Sequence, residues 1–365
     1  MGPYRVLVFV FLAALLELTV GTHFRGGIIT WRALNTTPSG THAQILIHQR
    51  YSWRRSYWSS MCTTTTITNQ QIIGSPTGTL DCNVGSCGSF TSLSADVICT
   101  DYSTLIDCSS GEVYDTLTLP LSSTFVVGFY GGNWLALAIG GNSYWQVTGK
   151  IDLTVRPDGL INTSPVTTTL PVIYRTVGVQ HIHIIPMSDA DSTDTLRCRW
   201  STDNTPTSNT NGYDECASVC DPSLPPGYTL FPDNCTLVFT ISSVGGYYAV
   251  ALQIEDFYAS TSTTPMSSVP IQFMFYGIAA PSGCSTAPSI IGVRPNLGVN
   301  GMLMNRPSRN GTYVYFNDVT LNNTVVLKYD CGWSPNVIYS GSTMVIYAPF
   351  AWVPGHNYFV TFDSG

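Results

Sequence analysis

Residues 145–155 read WQVTGKIDLTV, and this stretch decides the fold. Trp145, Val147, Ile151, Leu153 and Val155 fall on one side of an extended chain, with Gly149 between them. Gln146, Thr148, Lys150, Asp152 and Thr154 fall on the other. Side chains of a strand alternate between faces, so the pattern predicts a half-buried antiparallel β-strand.

Working outward, the same signature recurs in AQILIHQ (43–49), TFVVGFY (124–130), NWLALAI (133–139) and VQHIHII (179–185). It returns in CTLVFTI (235–241), YYAVALQIEDF (247–257) and VPIQFMFYGI (269–278). Turn residues separate these segments, among them Gly131-Gly132-Asn133, Gly140-Gly141-Asn142, Pro157-Asp158-Gly159 and Gly245-Gly246. Short strands punctuated this way predict an all-β chain of sandwich-like modules. Two Pro- and Ser-bearing stretches, 161–171 and 278–289, are the expected linkers. They divide the chain into modules at 22–160, 165–279 and 285–365. The last is expected to be truncated.

The first 21 residues hold one basic residue, Arg5, an apolar run from Val6 to Leu16, and small residues at Thr19 and Gly21. This is the layout of a secretory signal peptide cut after Gly21. A membrane-spanning helix needs about 20 apolar residues, so no membrane insertion is expected. An Arg-Gly-Gly triplet follows at 25–27, but once only, in a chain of formal net charge −7 and ahead of the strand formers Ile28, Ile29, Thr30 and Trp31. RNA-binding boxes repeat the triplet in a basic context, so nucleic acid is excluded as a partner.

Charged residues make up 10% of the chain, and Lys150 and Lys328 are the only lysines. A surface so poor in charge predicts glycans as a source of solubility. Acceptor patterns stand at Asn35, Asn162, Asn234, Asn310 and Asn322, with a proline shortly after the Asn162 site. Behind a signal peptide, cysteines are expected in disulfides. There are eleven: Cys62, Cys82, Cys87, Cys99, Cys108, Cys198, Cys216, Cys220, Cys235, Cys284 and Cys331. The odd number predicts a partner beyond Gly365. Location is read as secreted, or cell-surface if the full-length chain carries an anchor.

The sequence resembles large secreted or surface proteins of invertebrate animals. THFRGGIITWR (22–32) and QRYSWRRSY (49–57) are similar to their N-terminal module. SDADSTDTLRCRWS, YYAVALQIEDF and SSVPIQF resemble the Ig-like or cadherin-like module that follows. PFAWVPGHNYFVTFDSG (349–365) resembles the end of bacterial-type Ig-like modules. The resemblance implies a modular extracellular protein of adhesion or matrix type and brings no catalytic residue with it. Its acidic loop reads DADSTD where related modules read Asp-x-Asp-Gly-Asp.

No HExxH, GxSxG or P-loop occurs, and the chain is read as a non-enzyme without cofactor or metal. Three constellations remain. His181 and His183 alternate on one strand face and are read as solvent-facing. Trp53, Arg54, Arg55, Tyr57 and Trp58 form either a binding platform for a glycan or protein partner, or a core strand with arginines across it. Asp189, Asp191 and Asp194, with Asp256, form either a calcium site or a solvated turn. The function expected is non-enzymatic structural or adhesive recognition; the alternative is carbohydrate recognition through Trp53–Trp58.

Overall fold

The structure, a computed structural model, describes residues 24–280 and 311–362, apart from 75–76, 142, 192, 205–210, 221, 312, 341–342, 347, 349–352 and 354–355. The predicted leader 1–21, Cys284 and Asn310 lie outside the described residues. The first half is a run of strands: β1 (Phe24–Ala33), β2 (His42–Arg54), β3 (Ile72–Ile73), β4 (Thr79–Gly85) and β5 (Leu93–Ser94). β6 (Val97–Ser103), β7 (Cys108–Pro120), β8 (Thr124–Gly131) and β9 (Trp145–Asp152) complete it. One short helix, α1 (Thr64–Thr68), is capped by the Thr63 side chain.

Next come β10 (Val166–Thr167), β11 (Val172–Thr176), β12 (Gln180–Ile184), β13 (Met187–Ser188) and β14 (Thr195–Trp200). β15 (Thr229–Phe231), β16 (Thr236–Thr240), β17 (Tyr247–Phe257) and β18 (Ser267–Ile278) follow. The main sheet runs β3-β6-β7-β2-β1-β18-β9-β8-β4-β5, with β11 and β17 also paired to β18 and β14 paired to β17. A smaller sheet, β12-β16-β15, closes the second half.

Two cores result, and they share a wall. Ile29, Trp31, Ala249, Ala251 and Met274 pack into the first core, with Phe24, Trp53, Phe129 and Trp145. Ile28, Val250, Leu252, Ile271, Phe273 and Phe275 pack into the second, with Leu237 and Phe239. Alternate residues of β1, β17 and β18 therefore serve opposite cores, which is why these strands are buried almost throughout. The Arg-Gly-Gly triplet serves this crossing. Gly26 has φ +151°, and a Cβ there would lie 2.3 Å from the Gln272 carbonyl oxygen, so only glycine lets β1 pass β18 so closely.

Four expectations are corrected. The chain divides into two compact units after Ser282, and of the expected linker 161–171 only residues 166–171 are exposed or half-buried. Ile161–Pro165 is buried, and Ser164 exchanges hydrogen bonds with the Trp31 backbone because this segment runs beside β1. NWLALAI is not a strand: flanking glycine turns fold it into isolated bridges at Trp134 and Leu137. The predicted strand 145–155 stops at Asp152, whose carboxylate accepts from Thr154 backbone N–H at 3.0 Å. The first half of its polar face is also buried rather than solvated, while Lys150 and Asp152 are half-buried. Gln146 and Thr148 are covered there, and Thr148 donates to the Asp214 carbonyl at 2.7 Å.

Disulfides join Cys62 to Cys99, Cys82 to Cys87, Cys198 to Cys235 and Cys216 to Cys220. Cys108, expected in a bridge, is instead a buried free thiol. Its neighbours across the sheet are Arg54 and Ser103, and burial pushes its thiol up to about 12. Asn35, Asn234 and Asn322 are exposed, as a glycan requires. Asn162 is 1% exposed and its amide donates to Asp256 at 2.6 Å, so this acceptor pattern is closed in the folded chain.

The second unit contains β19 (Tyr313–Asp318), β20 (Thr324–Asp330), β21 (Val337–Ser340), β22 (Thr343–Ile346) and β23 (Tyr358–Phe362). β20-β19-β23 form one sheet and β21-β22 a hairpin, with Val314, Cys331 and Val337 buried.

Candidate functional site

The Trp53 region takes the core-strand form. Trp53 is fully buried, edge-on to Phe24 at 5.4 Å and to Trp145 at 5.8 Å. Arg54 points outward to Asp107 at 3.1 Å, and Arg55 lies over the Tyr102 ring. The Trp58 side chain lies outside the described residues. A stacking platform built on Trp53 is therefore excluded.

The histidine strand is turned the other way from expectation. Ile182 and Ile184 face solvent at 67% and 63% exposure, while His181 and His183 are half-buried. His183 packs against Phe273 and Phe275; burial and then the nearby Arg175 push it down to about 4. His181 pairs with the Thr176 carbonyl at 2.7 Å. The two rings are held by different partners and converge on no third ligand.

The acidic loop gathers around an arginine that sequence reading missed. Arg156, 5% exposed, follows the end of β9. Its guanidinium reaches Asp191 and Asp194 at 2.7 Å each and Asp158 at 3.2 Å. It also donates to Asn162 Oδ1 at 3.1 Å, and Asn162 passes the contact on to Asp256. Asp256 is buried at the base, accepting from the Ser267 hydroxyl at 2.8 Å. Three carboxylates thus grip one cation, with Asp256 joined through Asn162 and Asp189 beside Asp191. Burial, with help from Asp256, Asp191 and Asp194, pushes Asp189 up to about 8, and burial pushes Asp256 up to about 6. The oxygens a divalent ion would need on Asp191 and Asp194 already face Arg156.

Asp189 also forms part of the wall of a groove of about 360 Å³ on the outer face of β1 and β2. Register places Thr30, His48 and Tyr114 side by side on β1, β2 and β7. The His48 and Tyr114 rings stack at 4.3 Å and 4°. Glu112, one step along β7, meets His48 Nε2 at 3.0 Å and fixes that ring. Thr163 and Ser188 face this pair from the other side. The sequence around Glu112 and Tyr114 carries no ligand signature of its own.

A family model described as the N-terminal domain of integrin beta-like protein A-E matches residues 25–154. The match covers β1 to β9 and ends before β11 to β18, which build most of the second core. No curated protein matches the chain. Among solved structures, the two tandem V-type regions of VCBP3, a v-region-containing chitin binding protein, are similar at 10% identity and a TM-score of 0.29. That likeness covers 68% of this chain and 99% of the other, and is too distant to bear on fold or function.

Proposed function

We propose that the chain is a secreted, non-enzymatic recognition protein of adhesion type, its N-terminal module and second module acting as one rigid binding unit. The observation that carries this reading is the match of residues 25–154 to an integrin beta-like N-terminal domain. Disulfide-tied β-strands and exposed glycan acceptors at Asn35, Asn234 and Asn322 support an extracellular setting. Carbohydrate recognition through Trp53–Trp58 is not favoured, because Trp53 is enclosed. In the test, the full chain is expressed in secreting cells, recovered from the medium and immobilised. The product should begin near Thr22, lose mass with a glycan-removing enzyme, and retain cells above a β-sandwich control. An intracellular product with Met1 intact, or retention equal to the control, refutes the reading.

A further inference from the structure

The groove beside Asp189 is more than a crease between strands. Tyr114 is 54% exposed, yet its ring is held by parallel stacking on His48 and so forms a rigid, half-uncovered platform. Burial lowers the His48 pKa, leaving a neutral ring; its contact with Glu112 assigns the proton to Nε2 and leaves Nδ1 as an acceptor. Thr30 and Thr163, 8% and 7% exposed, and Ser188 line the space, and none of their hydroxyls is hydrogen-bonded among the described residues. The volume lies within the roughly 300–1,000 Å³ of small-ligand pockets.

The charge at the rim narrows the ligand. Arg32 lines the groove, is exposed, and makes no ion pair among the described residues. Arg50 lies on the same outer face and bonds only the Thr168 hydroxyl, at 3.3 Å. A guanidinium presents a planar fork suited to a carboxylate or a sulfate. Burial raises the pKa of Asp189, the carboxyl in the wall, which weakens its repulsion of an anion. Aromatic platform, convergent hydroxyls and an open guanidinium together match a sugar ring with an acidic substituent.

We propose that this groove binds a saccharide unit bearing an anionic group, its ring on Tyr114 and its carboxylate or sulfate on Arg32. The proposal rests on the recognition reading above and names its ligand class. The test titrates the full chain calorimetrically with three tetrasaccharides: one with uronate carboxylates only, one sulfated, and neutral chitotetraose. At least one acidic probe should bind about tenfold or more tightly than the neutral one, as charge-assisted pairing predicts, and the two acidic arms tell carboxylate from sulfate. Tyr114→Ala should abolish binding, and Arg32→Gln should erase the preference for the acidic probe. Both residues are exposed, so unchanged melting temperatures of the variants confirm folding. No binding of either acidic probe, equal binding of the neutral one, or binding that survives Tyr114→Ala overturns the proposal. If the immobilised chain still retains cells in that case, the groove assignment falls and the recognition reading stands.

Discussion

Two arginines of the first unit pair with carboxylates, Arg156 buried and Arg199 half-buried, and they solve the same problem differently. Arg199 on β14 meets Glu215 in a two-pronged contact at 2.6 and 2.8 Å, and Glu255 at 2.9 Å. Glu215 is fully buried and takes further hydrogen bonds from Thr202 N–H and Asn211. Burial opposes charge on Arg199, but Glu215 and Glu255 outweigh it and hold the guanidinium above its ordinary value. Arg156 instead meets three carboxylates, and behind them Asp189 and Asp256 are pushed up to about 8 and about 6. A saturated ion cluster acts as a fixed structural part. One with excess carboxylate stays close to titration and responds to the medium.

The sharpest way to break this comparison is Arg199→Met. It leaves Glu215 buried without its counter-charge, which costs about 3–5 kcal/mol. Urea unfolding of the secreted chain should show the loss in the midpoint of the first unit, and a change below about 1 kcal/mol would mean Glu215 is neutral or rewired. Next in size is reduction of the Cys198–Cys235 bridge, which ties the strand carrying Arg199 to the turn before β16. A crosslink of this kind contributes about 2–4 kcal/mol. Reductant should therefore lower the melting temperature of the unit by several degrees.

The third effect is one of pH, and its sign follows from the raised carboxyls. Asp189 and Asp256 hold their protons in the fold more tightly than in the unfolded chain, so the unfolded state binds fewer protons. Their protonation favours the fold fully below the unfolded carboxyl value near 3.8. That advantage is lost progressively as pH rises, up to about 6 for Asp256 and about 8 for Asp189. Asp189→Asn should flatten the fall between pH 5 and 8 and raise the melting temperature at pH 8 by about 2–4 °C, equivalent to roughly 1 kcal/mol. A steeper fall in the variant would sink this account. The smallest effect is expected from chelator: because Asp191 and Asp194 face Arg156, melting should shift by less than about 1 °C. A large shift would show that Asp189, Asp191 and Asp256 hold calcium.

Legibility in the sequence followed the range of the interactions. Strand period was readable at β9 because alternation is local. The shared wall was not, because Ile28 and Ile29 look alike in sequence and differ only in which core lies on each side. DADSTD was visible as an acidic loop, but its counter-ion Arg156 arrives through a turn more than thirty residues upstream. His181 and His183 were placed on the solvent face by polarity, yet Ile182 and Ile184 took it, since the histidines pack on Phe239, Phe273 and Phe275. The groove was illegible for the same reason: Tyr114 and Thr163 are brought together only by the fold.

The shared wall has a consequence for how the chain is made. β1 is the first strand of the fold to be synthesised, and its partner β18 is the last of the unit. At roughly 5–20 residues per second, β18 follows β1 by on the order of ten seconds or more. Until then Ile28 has no second core to enter, and the β1 edge that will take Gln272 and Ile271 stands open. A nascent chain stalled short of residue 267 should therefore engage chaperones along β1 and release them only once β18 has joined the ribbon.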